Sequence, residues 1–219
     1  MSKKKTIDYE EDILTFDLDD LTNALNKNVV EDVKTFEDII NLDGCLKREI
    51  SLGDINPGTG VSIEAYIHFW NRYDELNNIP IEERQPIKIY IDSCGGSLTD
   101  SFTIIDAIKL SKTPVWTINM GCAYSGGFFI FISGHKRIAY PHSSFLFHEG
   151  STSSGGTAGQ FANYAQFYKK QLDCLKDIVL KNSNISEEEY QGIRKDDIWY
   201  DAQEGLEKEF VDEIAESFI

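Results

Sequence analysis

The chain has 219 residues, 41% hydrophobic and 26% charged, which suits one α/β core of ordinary size and falls short of two comfortable ones. That balance excludes wholesale disorder and collagen-like or low-complexity architecture. The formal charge of −16 sits at the ends: residues 1–46 hold 12 acids and 5 bases, residues 184–219 hold 12 and 3, and residues 47–183 balance at 13 and 13. So acidic a chain repels polyanions, and nucleic acid is excluded as a partner.

Residues 1–45 alternate acids with scattered apolar residues and keep no sustained period, so they are read as an acidic N-terminal arm. Lys3 to Lys5 are followed by Asp8, Glu10, Glu11 and Asp12 instead of an apolar stretch, which matches neither a signal nor a transit peptide. No apolar run reaches the ~18–20 residues of a membrane span. Cys45, Cys94, Cys122 and Cys174 lie far apart without zinc-ligand spacing, and are read as reduced, partly buried thiols of a cytoplasmic protein.

Lys47 to Leu52 reads as a short strand ending at Gly53, and Asp54 to Gly60 as a turn rich in Asn, Pro and Gly. Ile63, Tyr66, Ile67, Trp70 and Tyr73 recur at intervals of three and four and mark an amphipathic helix. Ile87 to Ile91 is a β-branched run suited to a buried strand, with Gly95-Gly96 close behind. A helix around Phe102, Ile105 and Ile108 follows, then a strand over Val115 to Met120 closed by Gly121. A short helix starts near Ser125, two short strands span Arg137 to Tyr140 and Ser144 to Phe147, and a long helix runs from Ala158 to Leu180. Asp201 to Glu213 reads as an exposed helix with solvated acids. Alternating strands and helices imply parallel pairing, so the fold class is α/β.

Three segments hold candidate chemistry. In Met120-Gly-Cys-Ala-Tyr-Ser125-Gly-Gly-Phe-Phe-Ile130 a serine opens an apolar helix, where free N–H groups favour developing negative charge. Ala123 replaces the first glycine of the hydrolase elbow, so that motif is not met, and Ser125 as a plain N-cap is the competing reading. Asp92-Ser-Cys-Gly95-Gly96 follows a buried strand, and paired glycines there let backbone N–H groups approach an oxyanion. Of the four histidines, His68, His135 and His142 occupy helix-surface or turn positions, whereas His148 ends an apolar strand beside a Gly- and Ser-rich loop. Asp196 and Asp197 both precede the apolar Ile198-Trp199-Tyr200, and the residues alone leave the choice of orienting acid open.

Taken in order, Ile89-Tyr-Ile-Asp-Ser-Cys-Gly-Gly-Ser97, Gly121-Cys-Ala-Tyr-Ser125, Pro141-His-Ser-Ser-Phe-Leu-Phe-His148 and the closing Asp201-Ala-Gln-Glu-Gly resemble the proteolytic subunit of the Clp protease, ClpP. The likeness spans about residues 46–214. It implies a serine peptidase domain over 46–219, with the ClpP/crotonase-like fold of repeated β-β-α units and a protruding handle helix. It further implies Ser125 as nucleophile, His148 as general base and Asp197 as orienting acid, with Asp196 as the alternative. The N–H groups of Gly96 and Gly126 would form the oxyanion hole. Substrate would lie extended between a strand at Ser97, Leu98 and Thr99 and the loop beginning at Gly150. The implied assembly is a homo-oligomer of stacked seven-membered rings that takes unfolded polypeptide from an AAA+ unfoldase. Such a subunit needs no cofactor, because the unfoldase uses the ATP. Two departures stand out: Tyr124 replaces a small residue, and Lys195-Asp196 replaces an Asp-Arg pair. A catalytically silent ring subunit and a crotonase-type acyl-CoA enzyme are the rival readings.

Overall fold

A computed structural model describes Gly44 and residues 46–219. The acidic arm expected over 1–45 lies, apart from Gly44, outside the described residues.

The β-branched run forms β2 (Ile87–Ser93). Ile87, Ile89 and Ile91 are fully buried, while Lys88 and Tyr90 between them are half-buried, the alternation of a strand with its best-packed face on the core. Strands β1 (Glu49–Leu52) and β3 (Val115–Tyr124) flank it in parallel. Then β4 (Lys136–Ala139) pairs with β3, and β7 (Glu213–Ile214) pairs with β4. Parallel neighbours need crossovers. These are α1 (Thr59–Leu76) between β1 and β2, α2 (Leu98–Leu110) between β2 and β3, and the short α3 (Gly126–Phe131) between β3 and β4.

The expectation that Gly121 closes the third strand is not met. Asp92 accepts the Cys122 N–H at 3.1 Å, the β2–β3 register slips between Ile91 and Ser93, and β3 runs on to Tyr124. In doing so it changes partner, pairing through Cys122–Tyr124 with β5 (Ser144–Phe147). β6 (Ile198–Asp201) then adds antiparallel to β5. This second branch of the sheet carries the residues that matter below.

The long helix is α4 (Ala158–Lys181), opened by a reciprocal cap in which Thr157 accepts from Gln160 N–H and the Gln160 side chain accepts from Thr157 N–H. Its N-terminal turns are exposed, with Phe161 and Phe167 more than half accessible, whereas Leu175, Ile178 and Val179 enter the core. It therefore protrudes as a handle. Next come α5 (Glu187–Ile193) and α6 (Ala202–Glu207). The helix expected to Glu213 stops at Glu207 because buried Phe210 and Val211 pull the chain back onto the sheet. Asp212 is consequently not a freely solvated acid: it accepts from the Arg137 N–H at 2.7 Å and pairs with the Arg137 guanidinium.

Two features hold this frame. Phe128 packs edge-to-face on Phe129, Phe145, Phe147 and Phe210 at centroid distances of 5.3–6.4 Å, fixing α3 under β5. Each such buried ring contributes about 1.5–3 kcal/mol. Arg48, before β1, pairs at 2.6 Å with the fully buried Asp74 of α1, whose other oxygen accepts from Thr113 Oγ1 at 2.7 Å.

Candidate active site

Ser125 stands between β3 and α3 with φ 52° and ψ −118°, a sparsely populated region for a residue with a side chain. Such backbone costs about 1–3 kcal/mol and persists only where neighbours over-determine it. Here they do: Ser125 N–H donates to Leu146 O on β5 at 2.9 Å, and Ser125 O accepts from Phe128 and Phe129 N–H. Its hydroxyl caps nothing. Ser125 therefore holds the N-cap position without acting as a cap, because its hydroxyl makes no hydrogen bond to the helix N–H groups.

His148 follows β5 directly. In the tautomer that leaves Nε2 free, its Nδ1–H donates to Asp197 Oδ1 at 3.1 Å. Asp196, the alternative acid, is exposed, with its N–H on Ile193 O, and no described hydrogen bond joins its carboxylate to His148. Asp197 reaches the imidazole because β6 pairs with β5, setting Ile198 opposite Phe147. Trp199 adds an edge-to-face contact with Tyr124 at 5.0 Å, and Tyr124 Oη lies 2.8 Å from Ser144 Oγ. Tyr124, larger than the residue the resemblance leads one to expect, thus braces the segment holding Asp197.

The paired glycines close the site from β2. Ile55 N–H donates to Gly95 O and Ser97 N–H donates to Ile55 O, both at 2.8 Å, so the loop is stitched to the segment after β1. Asp54 Oδ1 accepts from Cys94 N–H at 2.9 Å. Gly96 has φ 142°, and a Cβ there would stand 2.2 Å from Ile55 O, so no side chain fits. Among the described residues no hydrogen bond engages the N–H of Gly96 or Gly126. Both glycines, Ser125 and His148 line one cleft of about 280 Å³, together with Leu98, Phe129, Leu146, Gly150 and Tyr168. The strand expected at Ser97, Leu98 and Thr99 is not formed. Ser97 instead caps α2, accepting from Asp100 N–H, and Leu98 and Thr99 form its first turn. Asp100 explains why. Its carboxylate accepts from Ser97 Oγ and from the N–H groups of Gly58 and Gly60, which holds its pKa below the usual range and fixes the turn.

The remaining candidates stay apart. His68 and His142 are exposed and do not line the cleft. His135 Nδ1 accepts from Val115 N–H at 2.9 Å, and desolvation there lowers its pKa, so it serves a strand end instead of a base's role. Cys94 borders the cleft and is exposed, but Cys122 is held as a thiol. Burial first, then the Asp92 carboxylate, push its pKa up to about 12. The sequence reading missed Asp54, Asp100, Glu149 and Arg194, because surface-looking acids and bases reveal their partners only through the fold.

The sequence profile of the Clp protease family matches residues 76–218, a span that contains Ser125, His148 and Asp197. The chain belongs to the Clp protease family. The ATP-dependent Clp protease proteolytic subunit of Lactococcus lactis subsp. lactis (strain IL1403) is 33% identical over 169 residues, 75% of this chain and 81% of that protein. That of Streptococcus sanguinis (strain SK36) is 34% identical over 169 residues, 75% and 82% of the two chains. The proteolytic subunit 2 of Corynebacterium diphtheriae (strain ATCC 700971 / NCTC 13129 / Biotype gravis) is 33% identical over 133 residues, 60% and 67%. The branched, mostly parallel sheet and handle helix are thus those of a Clp protease subunit, as the sequence resemblance implied.

Proposed function

We propose that the chain is an active serine endopeptidase, the proteolytic subunit of a Clp-type compartmentalised protease that cleaves unfolded polypeptide through an acyl-enzyme. The observation that carries this reading is the hydrogen bond from His148 to Asp197 at the rim of a cleft shared with an uncapped, strained Ser125. Ser125 Oγ attacks the scissile carbonyl as His148 Nε2 accepts its proton, and Asp197 stabilises the imidazolium. The Gly96 and Gly126 N–H groups take the oxyanion. His148 then protonates the leaving amine, and water repeats the sequence on the ester.

With Ser97 capping α2, extended substrate is received by the Gly95-Gly96 backbone and the loop from Gly150, backbone pairing that tolerates many sequences. The domain is residues 46–219, with 1–45 as an appended arm. Stacked seven-membered rings of this chain, fed by an AAA+ unfoldase, complete the reading; that the relatives are ATP-dependent Clp protease proteolytic subunits supports a multi-subunit, ATP-linked protease. No described helix is long and apolar enough to cross a membrane, and the three described cysteines are free, which suits a reducing cytoplasm.

One observation favours a silent ring subunit instead: no described hydrogen bond joins Ser125 Oγ to His148. Catalytic hydrogen bonds are often long before substrate binds, so this geometry does not outweigh the rest. Casein hydrolysis by the purified chain decides between them. Wild type is expected to degrade it and Ser125→Ala to assemble normally without doing so; hydrolysis retained in Ser125→Ala contradicts the proposal.

A further inference from the structure

Glu149 directly follows His148, yet its carboxylate has no part in the chemistry above. Its side chain is only 15% exposed. Tyr190 Oη–H, from α5, donates to Oε1 at 3.2 Å, and Arg194 Nη2–H donates to Oε2 at 3.3 Å. Arg194 Nε lies 2.9 Å from Oε1, close enough for the ion pair though out of line for a hydrogen bond. The Glu149 carbonyl accepts from Tyr168 Oη–H, on the handle helix, at 3.2 Å. Three side chains from two helices therefore converge on the residue beside the base.

The far side of this junction leads to Asp197. Tyr190 is 1% exposed and packs on Phe147 of β5 at 5.5 Å, and Arg194 N–H closes α5 on Tyr190 O. Arg194 is three residues before Asp197. Asp197 itself is 64% exposed at its side chain and, among the described residues, its carboxylate has His148 as its one hydrogen-bond partner. It is flanked by β6 pairing after it, and before it by the Asp196 N–H bond to Ile193 O and the Arg194–Glu149 contact.

We infer that Glu149 and Arg194 are a positioning pair, whose ion pair sets the approach of Asp197 to His148 Nδ1. This rests on the peptidase reading above. A merely structural ion pair would hold the fold and leave the Asp197–His148 geometry indifferent to it. A positioning pair acts on turnover through Asp197 and leaves substrate binding alone. A misplacement of ~1 Å in a catalytic group costs on the order of 10² in rate, which sets the upper scale.

The test is steady-state hydrolysis of a fluorogenic peptide by the assembled full chain, read as kcat and KM separately. Arg194→Met is expected to lower kcat by about 10–100-fold with KM within twofold, on the same scale. Arg194→Lys, which keeps the charge but not the fork, should recover most of that loss. In an Asp197→Asn background, Arg194→Met should add less than about twofold, because the pair then has nothing to position. An equal loss in both backgrounds, or an unchanged kcat, overturns the inference. If Arg194→Met does not fold, Glu149→Gln removes the same ion pair with its shape kept and answers the same question. Should the peptidase reading itself fail, the sign is different: wild type is inert or Asp197→Asn is without effect, and the pair's role falls with it.

Discussion

Gly96→Ala isolates the proposed oxyanion-hole geometry from the rest of the site. The added Cβ would meet Ile55 O at 2.2 Å, against a floor of 3.0 Å for real contacts, so the loop must move by about 0.8 Å. The obstacle is backbone, held by Ile55 N–H on Gly95 O and Ser97 N–H on Ile55 O, and it cannot swing aside. The φ of 142° adds strain of about 1–3 kcal/mol for any residue with a side chain. A donor displaced by nearly 1 Å no longer meets the developing oxyanion, which places the loss in kcat at ~10²–10³. Peptide hydrolysis measures kcat, and thermal unfolding separates that loss from general destabilisation. Gly53→Ala, with nothing within 4 Å of its added Cβ, is the control and should match wild type. A Gly96→Ala protein with wild-type kcat and melting temperature refutes the reasoning.

Three more outcomes follow from the same contacts. Asp197→Asn should lower kcat by ~10³–10⁴, as loss of an orienting acid does elsewhere, while Asp196→Asn stays within about twofold; equal effects in a peptide assay would mean the wrong acid has been assigned. Arg48→Met leaves the fully buried Asp74 carboxylate without its cation and should cost about 3–5 kcal/mol. For a domain of this size that is roughly 6–20 °C in calorimetric melting temperature, and a change under 2 °C (about the effect of 1 kcal/mol) would contradict it. At Asp212, burial pushes the pKa up, but the Arg137 hydrogen bonds and charge outweigh it and hold the pKa below 3.8. A depressed carboxylate pKa stabilises the fold above the unfolded value and loses that contribution as pH falls through the folded one. Melting temperature should therefore fall more steeply below pH 4 in wild type than in Asp212→Asn, and parallel curves would rule this out.

Much of the frame was legible because periodicity reports burial. The 3.6-residue spacing through Ile63, Ile67 and Trp70 and the β-branched Ile87 to Ile91 both appear as read, since the buried faces are those the patterns name. Where the reading failed, a polar contact across the chain decided the outcome. Gly121 looked like a turn, but Asp92 reaching Cys122 keeps β3 going. The resemblance implied a strand at Ser97, but Asp100 gathering Ser97, Gly58 and Gly60 starts a helix. Ser125 could not be told from an N-cap by its neighbours; its positive φ and idle hydroxyl are properties of the elbow that β5 imposes. That Asp197 and not Asp196 meets His148 likewise depends on the β5–β6 register, whereas the residues alone left the two acids open.

The most direct test is a fluorophosphonate probe, which forms a covalent adduct only with an activated serine. Intact-mass analysis of the assembled protein should show one adduct per chain, peptide mapping should place it on Ser125, and His148→Ala should abolish it. Protein that stays unmodified under conditions where a known serine peptidase is fully labelled, or that is modified equally in Ser125→Ala, contradicts the account.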